Sequence, residues 1–440
     1  MTLAQRRWLL ISFAAFCIIV SPLLILYASG YRYNTRLHKI EQVGLLSLSA
    51  QPGDAVAIIN DKRYPIRNRL QQLTLPPNRY HIRLELDGYQ AWEKTLDVES
   101  GRTTFARDIR LFSDREAKPT ELFVDNLIRL GRQGQVTLFA APQALVRYDA
   151  DSQTVTEADL LQKDIPVRLP VFSGALAVFQ QGTNWYQASV EAEAINIAAL
   201  NVPNETRSLA IVDGTIFALT DTAIIELADD EATPLIAIDE PQSLAAAGRG
   251  WFVIAAEATH KRSFLYEITS ANTKPEFITA LPYSDGWRIT SVAGTLLTLH
   301  DDTHQRLDLV DTRIVPPALA RFDDVFDWQW SLDGRSVLTA APNEVSIYHL
   351  QNGVNQELLL RQSETITSAA WSDDEAWVYY TSTQGVFAIE RDDRDGRNVI
   401  TLADKKTTPL LLGATTDTLV FSSRESTSFV IWSKALHNEE

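Results

Sequence analysis

The chain has 440 residues, enough for two or three domains, and its 45% hydrophobic and 22% charged residues belong to a chain that buries large cores rather than to a disordered one. A formal charge of −16 argues against a nucleic-acid partner, because a phosphate backbone is repelled by most of such a surface. The single cysteine, Cys17, permits no intrachain disulfide and excludes zinc sites built on two or more cysteines.

Residues 1–7 form a short head carrying Arg6 and Arg7. From Trp8 to Ala28 the chain is mostly apolar for about 21 residues, the length that spans a bilayer as a helix. Ser12, Ser21 and Pro22 are tolerated there, and Trp8 at one end with Tyr27, Tyr31 and Tyr33 at the other supply interfacial aromatic anchors. The run is long for a cleaved signal peptide, Leu26-Tyr27-Ala28 is a poor exit from one, and a core helix would show a polar face. Cys17 follows the bulky Phe16, so it does not fit a lipoprotein acceptor. The expectation is a transmembrane signal-anchor helix over 8–28, followed by a juxtamembrane linker over 29–44. Arg32, Arg36 and Lys39 rival Arg6 and Arg7, so charge alone leaves orientation open. The short basic head favours a chain whose bulk lies outside the cytoplasm.

Residues 45–112 alternate apolar and polar in short strands: Leu46 to Ala50, Ala55 to Ile59, Gln71 to Leu75, Tyr80 to Leu86, Ala91 to Val98 and Thr103 to Leu111. Turn formers separate them at Pro52-Gly53-Asp54 and Asn60-Asp61-Lys62, and the pattern predicts a small β-sandwich with one face of each sheet buried. Three segments carry a family resemblance: Ser47-Leu48-Ser49-Ala50-Gln51-Pro52-Gly53-Asp54-Ala55-Val56-Ala57-Ile58, Leu75-Pro76-Pro77-Asn78-Arg79-Tyr80-His81-Ile82, and Asp87-Gly88-Tyr89-Gln90 before Leu96-Asp97-Val98. Together they resemble the PEGA domain, a surface-associated sandwich module. The naming tetrapeptide is altered to Pro52-Gly53-Asp54-Ala55, and Asn78 replaces the usual glycine; both keep turn formers in place. The resemblance implies location and scaffolding rather than chemistry. Residues 113–120, charged and containing Pro119, read as a linker.

From 121 to 436 the chain repeats. Phe326-Asp327-Trp328-Gln329-Trp330, the turn Ser331-Leu332-Asp333-Gly334, and Ser336 to Ala340 form one hairpin, echoed about forty residues later around Trp371-Ser372-Asp373-Asp374. Ser331 and Asp333 can bond the turn backbone, and Gly334 admits a positive φ without a Cβ penalty. Further strands at Val345 to Leu350 and Gln356 to Leu360 complete four, one propeller blade. Fainter first strands start near Asn126, Arg168, Ser208, Ser243 and Ile289, followed by Asp327, Ile366 and Leu410. Turns such as Asp213-Gly214 and Gly248-Arg249-Gly250 lie between strands. Eight blades are expected, seven being the alternative, with Glu121-Leu122-Phe123-Val124 supplying the strand that the last unit lacks. Two copies of the turn resemble the WD40-like propellers of the TolB type, and the Trp-Asp marks of eukaryotic WD40 blades are absent. Residues 437–440 read as a frayed tail. The fold class is thus all-β with one N-terminal transmembrane helix.

Chemistry is sparse. No G-x-S-x-G, P-loop, G-x-G-x-x-G or H-E-x-x-H occurs, so no catalytic residue, cofactor site or metal site is assigned, and the chain is read as a non-enzyme. His300-Asp301-Asp302-Thr303-His304 and Asp392-Asp393-Arg394-Asp395-Gly396-Arg397-Asn398 hold metal-ligating residue types, yet both fall where hairpin tips are expected. Trp185, Trp251, Trp287, Trp328, Trp330, Trp371, Trp377 and Trp432 read as inter-blade core rather than as a stacking surface, Trp328 and Trp330 sharing one face. The expected function is a single-pass cell-membrane protein with an extracytoplasmic binding or scaffolding propeller for an envelope protein or glycan. The alternatives are a regulatory propeller of an envelope enzyme system and a surface-layer spacer.

Overall fold

In the computed structural model the described residues are 3–437, apart from 35–38, 67–69, 125–127, 134–135, 142, 150–151, 153, 164, 229–230, 248–249, 270–271, 294, 352, 406–409, 416 and 426–427. The expected strand start at Asn126, the Gly248-Arg249 turn and tail residues 438–440 lie outside them. The chain divides into two compact units, one of residues 1–115, 389–400 and 436–440, the other of 116–388 and 401–435.

The first unit opens with α1 (Leu3–Ala28). Its apolar side chains Phe13, Phe16, Ile18, Ile19, Leu23, Leu24 and Ile25 are exposed on every side of the helix. Among the described residues no helix is long and apolar enough to cross a membrane; the side chains of 1–7, 9–11 and 15 are not among them. Arg32 caps the helix end, donating from Nη1 to the Tyr27 carbonyl at 2.7 Å and lying 3.7 Å from the Tyr27 ring centroid. The stretch read as a linker holds a hairpin instead, β1 (Tyr31–Asn34) against β2 (Lys39–Gln42). Two strands of four residues are too short for alternation to announce them.

The sandwich follows as β3 (Gly44–Gln51), β4 (Val56–Ile59), β5 (Lys62–Pro65), β6 (Leu70–Leu75), β7 (Asn78–Glu85), β8 (Trp92–Val98) and β9 (Thr103–Arg110). One sheet has the order β6-β3-β9, with β3 and β9 parallel; the other is β5-β4-β7-β8. Alternation sets the inward faces, Tyr80, Ile82 and Leu84 on β7 and Trp92, Leu96 and Val98 on β8. Lys94 sits in that same inward register, its side chain only 1% exposed. Its Nζ lies 2.9 Å from Glu390 Oε2 and 3.5 Å from Asp392 Oδ2. Trp92 Nε1 and Asn398 Nδ2 donate to the same Glu390 carboxylate, at 3.1 and 2.8 Å. Residues 389–400, which the sequence assigns to a propeller hairpin, thus belong to the first unit, because the groups that bind them lie some three hundred positions away.

Among the described residues, the second unit carries a ring of eight four-stranded antiparallel sheets, a β-propeller. Seven blades are strands in sequence order, spanning 128–159, 167–200, 206–237, 241–282, 287–322, 327–361 and 366–403, of which residues 389–400 belong to the first unit. The eighth takes its outer strand, Lys118–Val124, from the start of the unit and pairs it with Ser428–Ala435. Apolar clusters between blades fill the ring, and Phe139, Val146 and Tyr148 of the first blade meet Leu412, Val420 and Ile431 of the eighth. Of the tryptophans, Trp185, Trp287, Trp371, Trp377 and Trp432 are buried, the first two within inter-blade clusters, while half-buried Trp251, Trp328 and Trp330 pack against such clusters.

The polar turn is built as its residues demand. Ser331 Oγ donates to Asp333 Oδ1 at 2.7 Å and accepts from the amides of Arg335 and Ser336, while Gly334 takes φ 66°. Ser372 and Asp374 repeat the pattern, with Glu375 at φ 55° in the left-handed position. Ser331→Ala removes a largely buried acceptor from two amides and is expected to cost about 1–2 kcal/mol, read as lost hydrogen-exchange protection at Arg335 and Ser336. Glu390→Ala leaves Lys94 buried without its nearest carboxylate and should cost about 3–5 kcal/mol in the exchange protection of β8; Lys94→Met with Glu390→Leu should restore most of it.

Candidate functional site

Every blade presents its first strand to the central channel, and seven of the eight such strands carry a β-bulge near their start. The strand of the sixth blade, Asp327–Trp330, runs straight. A bulge leaves one residue outside the ladder and re-aims its side chain. In the second to fifth blades the bulged positions include Leu169, Arg207, Gln242 and Thr290, all of which line a cavity of about 870 Å³.

Charged groups collect at one end of this cavity because the first strands start there and the tips between second and third strands border them. Arg207 pairs with Asp221 and lies 3.8 Å from Glu240. Arg288 reaches Asp302 at 2.6 Å and donates to the Pro170 carbonyl of the second blade at 3.3 Å. Gln242 Nε2 donates to the Ser284 carbonyl at 2.7 Å, while its buried Oε1 has no partner. The charge of Asp285 raises the pKa of the Tyr283 hydroxyl; burial, a hydrogen bond to Asp285 and the charge of Glu240 add to this, and Arg207 opposes it. Gly286 brings two loops together: its carbonyl accepts from Asp302 at 3.0 Å, and a Cβ there would stand 2.6 Å from the Thr303 amide.

The residues singled out in the sequence lie elsewhere or are already partnered. His300 is buried, with Nδ1 2.8 Å from Asp302, Nε2 2.9 Å from the Val325 carbonyl and its ring 4.3 Å from that of Trp328. Burial raises the pKa of Asp301, but bonds from the Ser284 hydroxyl and from His304 outweigh it and hold the carboxyl below its usual range. Asp392 is engaged by Arg394 at 2.6 Å and by Lys94. Among the described residues no group of three or more His, Cys, Asp or Glu converges on a possible metal position.

One arrangement carries no sequence motif. Ser336 Oγ lies 2.9 Å from His349 Nδ1, and His349 Nε2 lies 3.0 Å from Glu357 Oε2. Its composition is that of a triad, but Ser336 and His349 are direct register partners, a contact that strand pairing produces unaided. The channel groups were also missed, and a signal for them exists. Arg207, Glu240 and Arg288 stand near the starts of successive first strands, so carrying the repeat through places them at one mouth.

No known family matches the chain, and no curated protein does. Partial likeness exists to Hsv2 of Kluyveromyces lactis, at 10% identity over 64% of this chain and 98% of that one, with a TM-score of 0.41. BamB of Moraxella catarrhalis gives 13% identity, 71% and 99% coverage and 0.42. A eukaryotic initiation factor gives 11%, 75% and 91%, and 0.46. The propeller assignment rests on the sheet order described above.

Asp285→Asn is expected to bring the Tyr283 ionisation down toward that of free tyrosine, and Glu240→Gln to do so by less. The measurement is the alkaline ultraviolet titration of each chain minus that of its Tyr283→Phe counterpart.

Proposed function

We propose that the chain is a membrane-anchored, extracytoplasmic binding platform whose working surface is the channel mouth of the second to fifth blades, with an envelope protein as partner. The observation that carries this reading is the cavity of about 870 Å³, where bulges turn polar side chains inward and one buried acceptor is left without a partner. Concave cavities with convergent polar groups are where ligands bind.

The anchor reading rests on the apolar run 8–28 and on exposed apolar side chains around α1. The PEGA-like reading of 45–112 rests on the turn motifs, which fall between β3 and β4 and between β7 and β8. In this reading the sandwich is a surface-associated scaffold.

Two experiments test the proposal. The full chain should resist extraction by alkaline carbonate, and a chain lacking residues 1–28 should appear in the soluble fraction; equal behaviour of the two sinks the anchor. For the platform, Thr290→Trp introduces bulk at an exposed bulged position in the channel. Detergent-solubilised full chain should retain an envelope protein after mild cross-linking, and the plugged variant should lose it.

A further inference from the structure

Resting on the platform reading, we propose that the channel mouth accepts a lysine or arginine side chain carried on an extended segment of the partner protein.

The charge balance leads there. At the mouth the lining includes Arg207 and Arg288 against Glu240, Asp285 and Asp302, and both arginines are engaged by carboxylates. Asp285 faces the neutral hydroxyl of Tyr283, so among the described residues no cation pairs with it. Gln242 Oε1 is a second acceptor without a donor. A carboxylate in surplus and an orphaned amide oxygen call for the same thing, a positively charged group with several N–H donors. Tyr283 is 37% exposed and adds a ring face for a cation.

Below the charged rim the lining includes the half-buried aliphatic side chains Val171 and Ile211, which suit the methylene stem of a long basic side chain. The volume of about 870 Å³ exceeds one side chain and leaves room for flanking backbone. At longer range, the formal charge of −16 draws a basic segment toward the surface. A metal ion fits less well, because the described residues offer no converging set of ligands.

The test uses the full chain in detergent and, as probe, the fluorescein-labelled peptide Gly-Ser-Lys-Arg-Ser-Gly. Its controls are the acidic peptide Gly-Ser-Glu-Asp-Ser-Gly and spermine as competitor. The basic peptide should bind saturably, more weakly as salt rises, and the acidic peptide should not. Glu240→Gln with Asp285→Asn should weaken binding about tenfold, the loss of one to two charge-assisted contacts. Gln242→Met, which removes the orphaned acceptor together with the Nε2 bond to the Ser284 carbonyl, should weaken it by a smaller factor. Glu157→Gln with Glu193→Gln removes as much charge from exposed positions elsewhere and should change nothing. Unchanged binding in the mouth variants, or equal loss in the distant pair, overturns the proposal. Full displacement by spermine at concentrations matching the peptide overturns the choice of a peptide over a free polyamine.

Capture of the envelope partner separates this proposal from the reading beneath it. Capture lost in Thr290→Trp but kept in the Glu240, Asp285 variant leaves the platform standing and removes the cation. Capture kept in both removes the platform as well.

Discussion

Closure of the ring is the constraint on which the second unit depends. A four-stranded blade has two apolar faces and cannot bury either alone, so each blade needs two neighbours. Pairing Lys118–Val124 with Ser428–Ala435 completes the eighth blade from both ends of the unit. The cluster of Phe139, Val146, Tyr148, Leu412, Val420 and Ile431 then gives the first blade the neighbour that an open array would deny it. The contact joins residues some three hundred positions apart, and contacts of that separation form late because loop closure must precede them.

Within the ring, hydrogen bonds between inner strands fix the channel. Ser243 Oγ accepts from the Ile289 amide at 2.9 Å, Gln329 Oε1 from Trp371 at 3.0 Å, and Ser368 Oγ from Leu411 at 2.9 Å. Each joins one blade to the next, and each satisfies a backbone group near an inner strand's bulge or end. The two sides of the channel differ in what the inner strands carry. Around the sixth blade, Trp328 and Trp330 pack into a cluster with Leu307, Leu309 and Val337. In the third to fifth blades the inner strands offer Ser208, Ala210, Ser243, Ala245 and Ser291, small residues that leave the cavity open.

The strand rhythm was legible because each blade is a local pattern. First strands begin at Val167, Thr206, Pro241, Trp287, Asp327, Ile366 and Leu410, each within two residues of the starts read from the repeat. Turn chemistry was legible for the same reason, since Ser331, Asp333 and Gly334 act on backbone within five positions. The site was not, because Glu240 and Asp285 act together on Tyr283 only after the ring brings separate blades to one mouth. The bulges that aim Arg207 and Gln242 leave no mark in residue type. Lys94 is an intermediate case. Its inward register is plain from Trp92, Leu96 and Val98, and a lysine there demands a buried anion, but nothing local names Glu390 as that anion.

Satisfaction of polar groups separates the structural clusters from the mouth. His300, Asp301 and His304 are ligand-type residues set close together, and the protein itself engages them: both nitrogens of His300 are taken, and Asp301 accepts from Ser284, Thr303 and His304. A ligand would have to break those bonds before making its own. At the mouth the balance runs the other way, since Gln242 Oε1 is buried and unmet and Asp285 has a neutral partner where its neighbours have arginines. An unmet buried acceptor costs about 1–3 kcal/mol. Residue type alone singles out the histidine cluster, and hydrogen-bond accounting shows it to be internally satisfied.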